Sequence, residues 1–233
     1  MPSDERHPST EIVTLDGPAG VGKTTLARNV AEALGVFYMD TGAMFRTLAL
    51  RLGPGADLRS AESLRDACRR CVFSLEGRGG NTRLLCNGDA IGEEIRTEDV
   101  GMLASRIAAV PAVRGVLLEA QRALAAEGPL VAEGRDMGTE VFPQARYKFF
   151  LDAAPEVRAQ RRLRELRQRG QEMDVNGLAE QIRQRDALDR NRAAAPLRPA
   201  ADAVIIDTSH LDIAGVRDVI LRHIRERKSP RRA

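Results

Sequence analysis

The stretch Glu11-Ile12-Val13-Thr14-Leu15-Asp16-Gly17-Pro18-Ala19-Gly20-Val21-Gly22-Lys23-Thr24-Thr25-Leu26 decides the fold. Residues 11–15 are rich in β-branched and apolar side chains and read as a strand, whereas 26–34 has the apolar spacing of a helix. Between them stands the full G-x-x-x-x-G-K-[ST] pattern, Gly17–Thr24. The glycines let backbone N–H groups turn inward around a di- or triphosphate, and the helix aims the positive end of its dipole at the same anion. The chain therefore reads first as a nucleotide binder, with Gly17, Pro18, Ala19, Gly20, Val21, Gly22, Lys23, Thr24 and Thr25 as the set around the nucleotide's phosphates. Lys23 reaches the β/γ-phosphates and Thr24 offers a hydroxyl to Mg²⁺.

The choice of Lys at position 23 is informative. The chain carries 33 Arg and three Lys, so it supplies almost every cation as guanidinium, yet the loop keeps a Lys. A compact ammonium fits inside the loop as a point charge where a planar fork would not.

Working outward, four more short runs read as buried parallel strands: 36–39, 129–133, 147–151 and 203–207. Helical patterns separate them, so the fold class is α/β, a five-stranded parallel sheet covered by helices, with ligands at the carboxyl ends of the strands. The residues just past those ends should matter most: Asp16-Gly17, Asp40-Thr41-Gly42, Glu133–Asp136, Leu151-Asp152 and Asp207-Thr208. The stretch 71–96 breaks the rhythm. Residues 72–75 and 82–86, joined by a Gly-rich 76–81 and followed by Asn87-Gly88, predict a small antiparallel insertion. From Pro155 to Arg192 the pattern is helical and Arg-rich, with interruptions near Gly170 and Asn176-Gly177, as two charged helices of a lid would be.

A chain of 233 residues buries one substantial core, so a single α/β unit with insertions is expected. No apolar run reaches the roughly 20 residues that span a bilayer, and residues 1–10 are polar, which predicts a cytoplasmic protein with no membrane partner. Net charge is only +3, and with no Trp, two Tyr and no nucleic-acid-binding signature, no nucleic-acid partner is expected. The basic end, Arg225–Ala233, reads as a disordered tail. Cys68, Cys71 and Cys86 lack a fourth ligand nearby in sequence and read as reduced packing residues rather than a zinc or redox site.

Chemistry is concentrated in three further segments. If Gly42 opens a helix, Arg46 sits about one turn in, near any second phosphate. Glu133-Gly134-Arg135-Asp136-Met137-Gly138 is poor core material at a strand end; Arg135 can clamp a phosphate, and Asp136 can accept from an exocyclic amine or help organise a metal shell. Arg185, Asp189 and Arg192 fall at i, i+4 and i+7, and Arg158 and Arg162 at i and i+4. Taken alone the first of these faces is slightly better explained by a solvated ion-pair stripe; opposed across a cleft, the two would surround a phosphoryl transition state.

The phosphate loop, Asp40–Arg46, Gly92–Val100, Gly134–Thr139 and Arg185–Leu197 together resemble, in order and spacing over roughly 11–220, the bacterial cytidylate kinase family. That resemblance implies a P-loop three-layer fold with the β insertion in a CMP-binding lobe, a helical lid, and phosphoryl transfer from ATP to CMP or dCMP with Mg²⁺. It implies one kinase domain over 1–233: core 9–52, 104–153 and 193–227, CMP-binding lobe 53–103, lid and following helix 154–192. By the same resemblance Ser105, Arg114 and Asp136 read the cytosine, Thr41, Arg46 and Arg135 surround the CMP, and Arg185 and Asp189 meet the sugar. Arg192 bridges toward the transferring phosphoryl, and Arg158 and Arg162 close over ATP. Catalysis then falls to Lys23, Arg135, Arg158, Arg162 and Arg192, in a monomer. Phe45 stands where the family commonly has Tyr, and some members have Gly in the slot of Thr24, which leaves Thr24 and Thr25 as alternatives for the metal. The rivals are a related kinase acting on UMP, shikimate or dephospho-coenzyme A, and a nucleotide-dependent switch or RNA-binding protein.

Overall fold

The computed structural model describes residues 11–168, 170 and 174–228. The expected rhythm is present, each strand lying within a residue or so of its sequence position. Strands β1 (Ile12–Asp16) and β2 (Phe37–Asp40) flank helix α1 (Lys23–Leu34), and α2 (Thr41–Leu52) and α3 (Ala61–Arg69) follow. The insertion contributes β3 (Phe73–Glu76), β4 (Arg83–Cys86) and β5 (Asp89–Ala90); then come α4 (Glu98–Ile107) and α5 (Pro111–Ala125). The chain continues through β6 (Leu130–Gly134), β7 (Tyr147–Asp152), α6 (Pro155–Gln168), α7 (Val175–Asn191), β8 (Val204–Asp207) and α8 (Ile213–Lys228).

The large sheet is all parallel, in the order β2-β6-β1-β7-β8. Strand periodicity splits its side chains between two cores. Ile12, Leu130 and Ala132 face a cluster with Met44, Leu48, Ile107 and Leu117 of α2, α4 and α5. Val13, Leu15, Val131 and Phe149 face the opposite cluster with Leu26, Val30, Val216 and Ile220 of α1 and α8. These are three layers, and each such Leu or Ile contributes about 1.5–3 kcal/mol by leaving water. The five strands end together at Asp16, Asp40, Gly134, Asp152 and Asp207, which sets the functional edge.

The insertion is a three-stranded antiparallel sheet, β3-β4-β5. The sequence placed a turn at Asn87-Gly88 but not the two-residue strand β5 beyond it; Asn87 sits at φ 58° and Gly88 at φ 86°, the positive angles of a tight hairpin turn. Its other turn is docked on the core. Gly80 N–H donates to Glu32 Oε2 at 2.7 Å, Arg28 donates back to Gly80 O at 2.8 Å, and Gly79 N–H reaches Val36 O at 2.9 Å.

In the lid the expected break at Asn176-Gly177 is absent. Asp174 caps α7 by accepting from Gly177 N–H at 2.8 Å, so the Asn-Gly pair forms the helix's first turn. Leu166 of α6 packs with Leu178 and Ile182 of α7 in a small core of their own. At the basic end, α8 runs on through 225–228; residues 229–233 lie outside the described residues, as do the polar residues 1–10. Cys68, Cys71 and Cys86 are free and buried in the first core, as packing residues should be.

Candidate active site

At the strand ends lies a cleft of about 860 Å³ whose walls come from the phosphate loop, α2, α4, the end of β6 and both lid helices. The phosphate loop forms one wall. Gly17, Gly20 and Gly22 have φ of 153°, 76° and 91°, and a Cβ on Gly17 would fall 2.2 Å from Leu151 O, so the loop can hug β7 only with glycine there. Lys23 is buried and donates to Gly17 O at 2.8 Å and Pro18 O at 2.6 Å. Burial, and then the Arg135 charge, hold its ammonium well below the usual lysine range.

Behind the loop, Asp16 accepts from the backbone N–H of Met137 and Gly138, both at 2.8 Å. These belong to a π-helical turn, Met137–Val141, so one carboxylate ties the end of β1 to the turn after β6. Burial pushes the Asp16 carboxyl up to about 6 despite those two donors.

Glu133, at the end of β6, is buried and accepts from Tyr38 Oη at 2.5 Å and from the Thr24 hydroxyl. Burial, then the Asp40 charge, push it up to about 7. Asp40 lines the cleft and caps α2, accepting from Ala43 N–H at 2.8 Å. Thr24 is half-buried against Glu133, whereas Thr25 is exposed at the mouth.

The opposite wall is cationic. Arg46 is held by Ile95 O at 2.9 Å and Thr97 O at 3.1 Å. Arg185 Nε meets Ser105 Oγ at 3.1 Å, and Arg135 Nε meets Asp189 Oδ2 at 2.7 Å. A Cβ on Gly101 of α4 would lie 2.9 Å from Arg46 and 3.3 Å from Arg185, so two guanidinium groups converge over a bare patch of helix. Burial, Arg135 and Arg46 together push Arg185 down to about 10.

The expected residues thus fall into two groups. Lys23, Thr24, Thr25, Arg46, Arg135, Arg162 and Arg185 line the cleft, with Ala19, Gly20 and Gly22. Ser105, Arg114, Asp136, Asp189 and Arg192 lie behind it as a paired layer: Asp136 takes a bond from Arg114 on one oxygen and from Arg192 at 3.3 Å on the other. Thr41 donates to Glu133 O at 2.6 Å and braces the strand end. The i, i+4, i+7 face is no solvated stripe, since Asp189 and Arg192 are both buried; Arg192 sits one residue past the helix, as its C-cap. Arg158 is placed differently from a free cation over nucleotide. It is 1% exposed, donates to Ala19 O at 3.0 Å and Ala153 O at 2.9 Å, and pairs with Asp186, bracing the phosphate loop from beneath.

The strand ends Asp152 and Asp207-Thr208 lie outside the cleft; Thr208 holds Arg161 instead. Sequence reasoning gave no role to Tyr38, Arg96, Glu98 or Gly101. A Gly inside the otherwise helical 98–107 was the one available signal. Phe45 keeps its ring against the Arg114 guanidinium, 5.8 Å from the centroid.

A family model described as cytidylate kinase matches residues 13–226. The chain is 64% identical over 223 residues to a cytidylate kinase of Nitratidesulfovibrio vulgaris (strain DP4), covering 95% of this chain and 96% of that relative. It is 54% identical to one of Oleidesulfovibrio alaskensis, over 92% of this chain and 98% of the relative. It is 44% identical to one of Vibrio cholerae serotype O1, over 92% and 96%. With this match along nearly its whole length, the chain belongs to the cytidylate kinase family.

Proposed function

We propose that the chain transfers the γ-phosphoryl group of ATP to the phosphate of CMP or dCMP, giving ADP and CDP or dCDP. The observation that carries this reading is the facing of Lys23 and the loop glycines, on one wall, with Arg46, Arg135 and Arg185 on the other, across one cleft. Two anion sites that share a cleft suit a reaction between two phosphates. The acceptor is already an anionic phosphate, so an acceptor oxygen attacks the γ-phosphorus without a strong general base, and the ADP oxygen leaves in line. The protein's part is positioning and charge stabilisation by Lys23 and the arginines. Ser105, Arg114 and Asp136 read the cytosine edge, for which Asp136 must exchange part of its pairing with Arg114 and Arg192 for the base amine. Arg185 and Asp189 meet the sugar, and Arg192 and Arg162 approach the transferring group.

The donor set suits Mg²⁺. Thr24 and Glu133 would hold it, with Asp40 nearby, and all are hard oxygen donors. Among the described residues no group of three or more His, Cys, Asp or Glu forms a cage, which fits a cation that keeps its waters and phosphate ligands. Bound with ATP, Mg²⁺ supplies neutralisation between the β- and γ-phosphates.

We divide the chain into a core (9–52, 104–153, 193–227), an acceptor lobe (53–103) and a lid (154–192) that closes against water. The separate lid cluster of Leu166, Leu178 and Ile182 supports the last unit. The docking of Gly79-Gly80 on α1 argues that the antiparallel sheet travels with the core. No single described helix is long and apolar enough to cross a membrane.

The test is ADP release from Mg·ATP with CMP, dCMP, UMP, AMP, GMP, shikimate or no acceptor. Turnover with CMP and dCMP alone is expected. Preference for another acceptor would overturn the cytosine-reading roles, and hydrolysis indifferent to acceptor would favour a switch.

A further inference from the structure

Helix α6 of the lid meets α4, on the acceptor side of the cleft, through the side-chain ion pair Arg162–Glu98. Arg162 of α6 donates from Nε at 3.0 Å and from Nη2 at 2.6 Å to the same oxygen of Glu98, the first residue of α4, and its Nη2 also lies 3.5 Å from Arg96 O. Its remaining partner, Glu165 at 3.0 Å, is one turn along the same helix and moves with it. Glu98 is not needed to start α4, because Thr97 supplies the cap, its Oγ1 accepting from Val100 N–H at 3.3 Å. Glu98 lines the cleft beside Arg96, Met102 and Arg162; burial holds the Arg46 guanidinium below the usual arginine range, and the charges of Glu98 and Asp40 oppose that only in part.

We propose that Glu98 is a positioning residue that holds Arg162 on the acceptor side until both nucleotides are bound, keeping this cation from ATP alone. The inference rests on the reading that Arg162 serves the donor phosphates. An arginine with both Nε and Nη2 committed to Glu98 cannot also present that edge to a γ-phosphate. When the acceptor phosphate enters among Arg46, Arg135 and Arg185, it brings negative charge beside Glu98. Like-charge repulsion then weakens the Glu98–Arg162 pair and releases the guanidinium toward the anion between the walls. The second substrate thus arms the site for the first, and ATP bound without an acceptor meets an incomplete cationic shell. The same pair ties α6 to the helix that carries Ser105, so base reading and lid position share one element.

A four-member cycle tests this: wild type, Glu98→Gln, Arg162→Met and the double variant, each assayed for ATP affinity without acceptor, acceptor-independent ADP release and kcat with CMP. The pair is partly exposed, so its loss should strengthen ATP binding without acceptor by about three- to fivefold. Acceptor-independent hydrolysis should rise in parallel, and both gains should vanish in the Arg162→Met background. Should Arg162→Met impair transfer while Glu98→Gln leaves ATP affinity and hydrolysis unchanged, the holding role is wrong and the donor role of Arg162 stands. Unimpaired transfer by Arg162→Met would overturn both. An effect of Glu98→Gln that persists at equal size without Arg162 would mark a structural role for Glu98 and overturn the proposal.

Discussion

Arg135 and Asp189 meet at 2.7 Å across 54 residues of chain, Asp189 buried and Arg135 half-buried, where the end of β6 faces the second lid helix, α7. Through Asp189, Arg135 keeps its charge despite burial, its guanidinium being held above the usual arginine range. Burial would push the Asp189 carboxyl up, but the charges of Arg135 and Arg185 prevail and hold it below the usual carboxylate range. The pair fixes the direction of a cation that, on the proposed reading, faces the acceptor phosphate.

Asp189→Asn keeps the shape and removes the charge. The expected outcome is a fall of about 10- to 100-fold in kcat with CMP, ATP affinity within about threefold of wild type, and a stability loss of about 1–3 kcal/mol from the weakened buried pair. Steady-state kinetics with CMP varied, alongside urea unfolding, checks all three. A variant with unchanged kcat would show that Arg135 needs no such support.

Lys23 separates function from stability. The ammonium is buried, bonded only to carbonyls, and its protonated form is disfavoured by burial and by Arg135. Lys23→Met should therefore leave Tm unchanged or raise it while lowering turnover by at least about 10³-fold, the exchange expected where an active site stores electrostatic strain. Calorimetry on the ligand-free variant is the check; a large drop in Tm would assign Lys23 to the fold.

Asp136 is the residue proposed to read the base. It bonds Arg114 and Arg192 in the ligand-free structure, so Asp136→Asn has two consequences. CMP affinity should fall by about 10- to 100-fold with ATP affinity spared, since a cytosine amine loses its charged acceptor. Two arginines left without their carboxylate should also cost about 2–4 kcal/mol of stability. Titration calorimetry with each nucleotide decides: equal losses for CMP and ATP would remove Asp136 from base reading.

How much of this was legible follows from the range of the interactions. The phosphate loop and the five strands are set by local pattern and read to within a residue or two; the lid reads as helical, but with a break at Asn176-Gly177 that the Asp174 cap turns into the first turn of α7. The pairing Asp136–Arg114–Arg192 was named as a set of residues but not as a layer, because which arginine meets which carboxylate is decided by β6, α5 and the end of α7 converging in space. Arg158 has the spacing of a cleft cation and is spent beneath the loop on Asp186; the neighbouring Arg162, one turn on, faces the cleft. Sequence places both on one helix face and cannot choose between them. Glu133 was visible as an acid at a strand end, but its link to Tyr38 and Thr24 joins three strand and loop ends that only the sheet order β2-β6-β1 brings side by side.

That link has a pH signature. Glu133 has its pKa raised to about 7 in the fold, mainly by burial and then by Asp40, against 4.5 ordinarily. Between those values the native state holds a proton that the unfolded chain has released, so stability is highest below about 4.5 and is lost as pH rises toward 7. Asp16, raised to about 6, acts with the same sign between 3.8 and 6. Asp189, lowered below 3.8, acts with the opposite sign only in stronger acid. Through these two carboxyls the ligand-free protein should therefore be less stable at pH 8 than at pH 5.5. Glu133→Gln keeps an acceptor for Tyr38 and removes the titration, so it should be more stable than wild type at pH 8 and should flatten the slope to the small part left by Asp16. Urea unfolding of both proteins at the two pH values measures this; an unchanged slope in Glu133→Gln would mean that another group carries the buried proton.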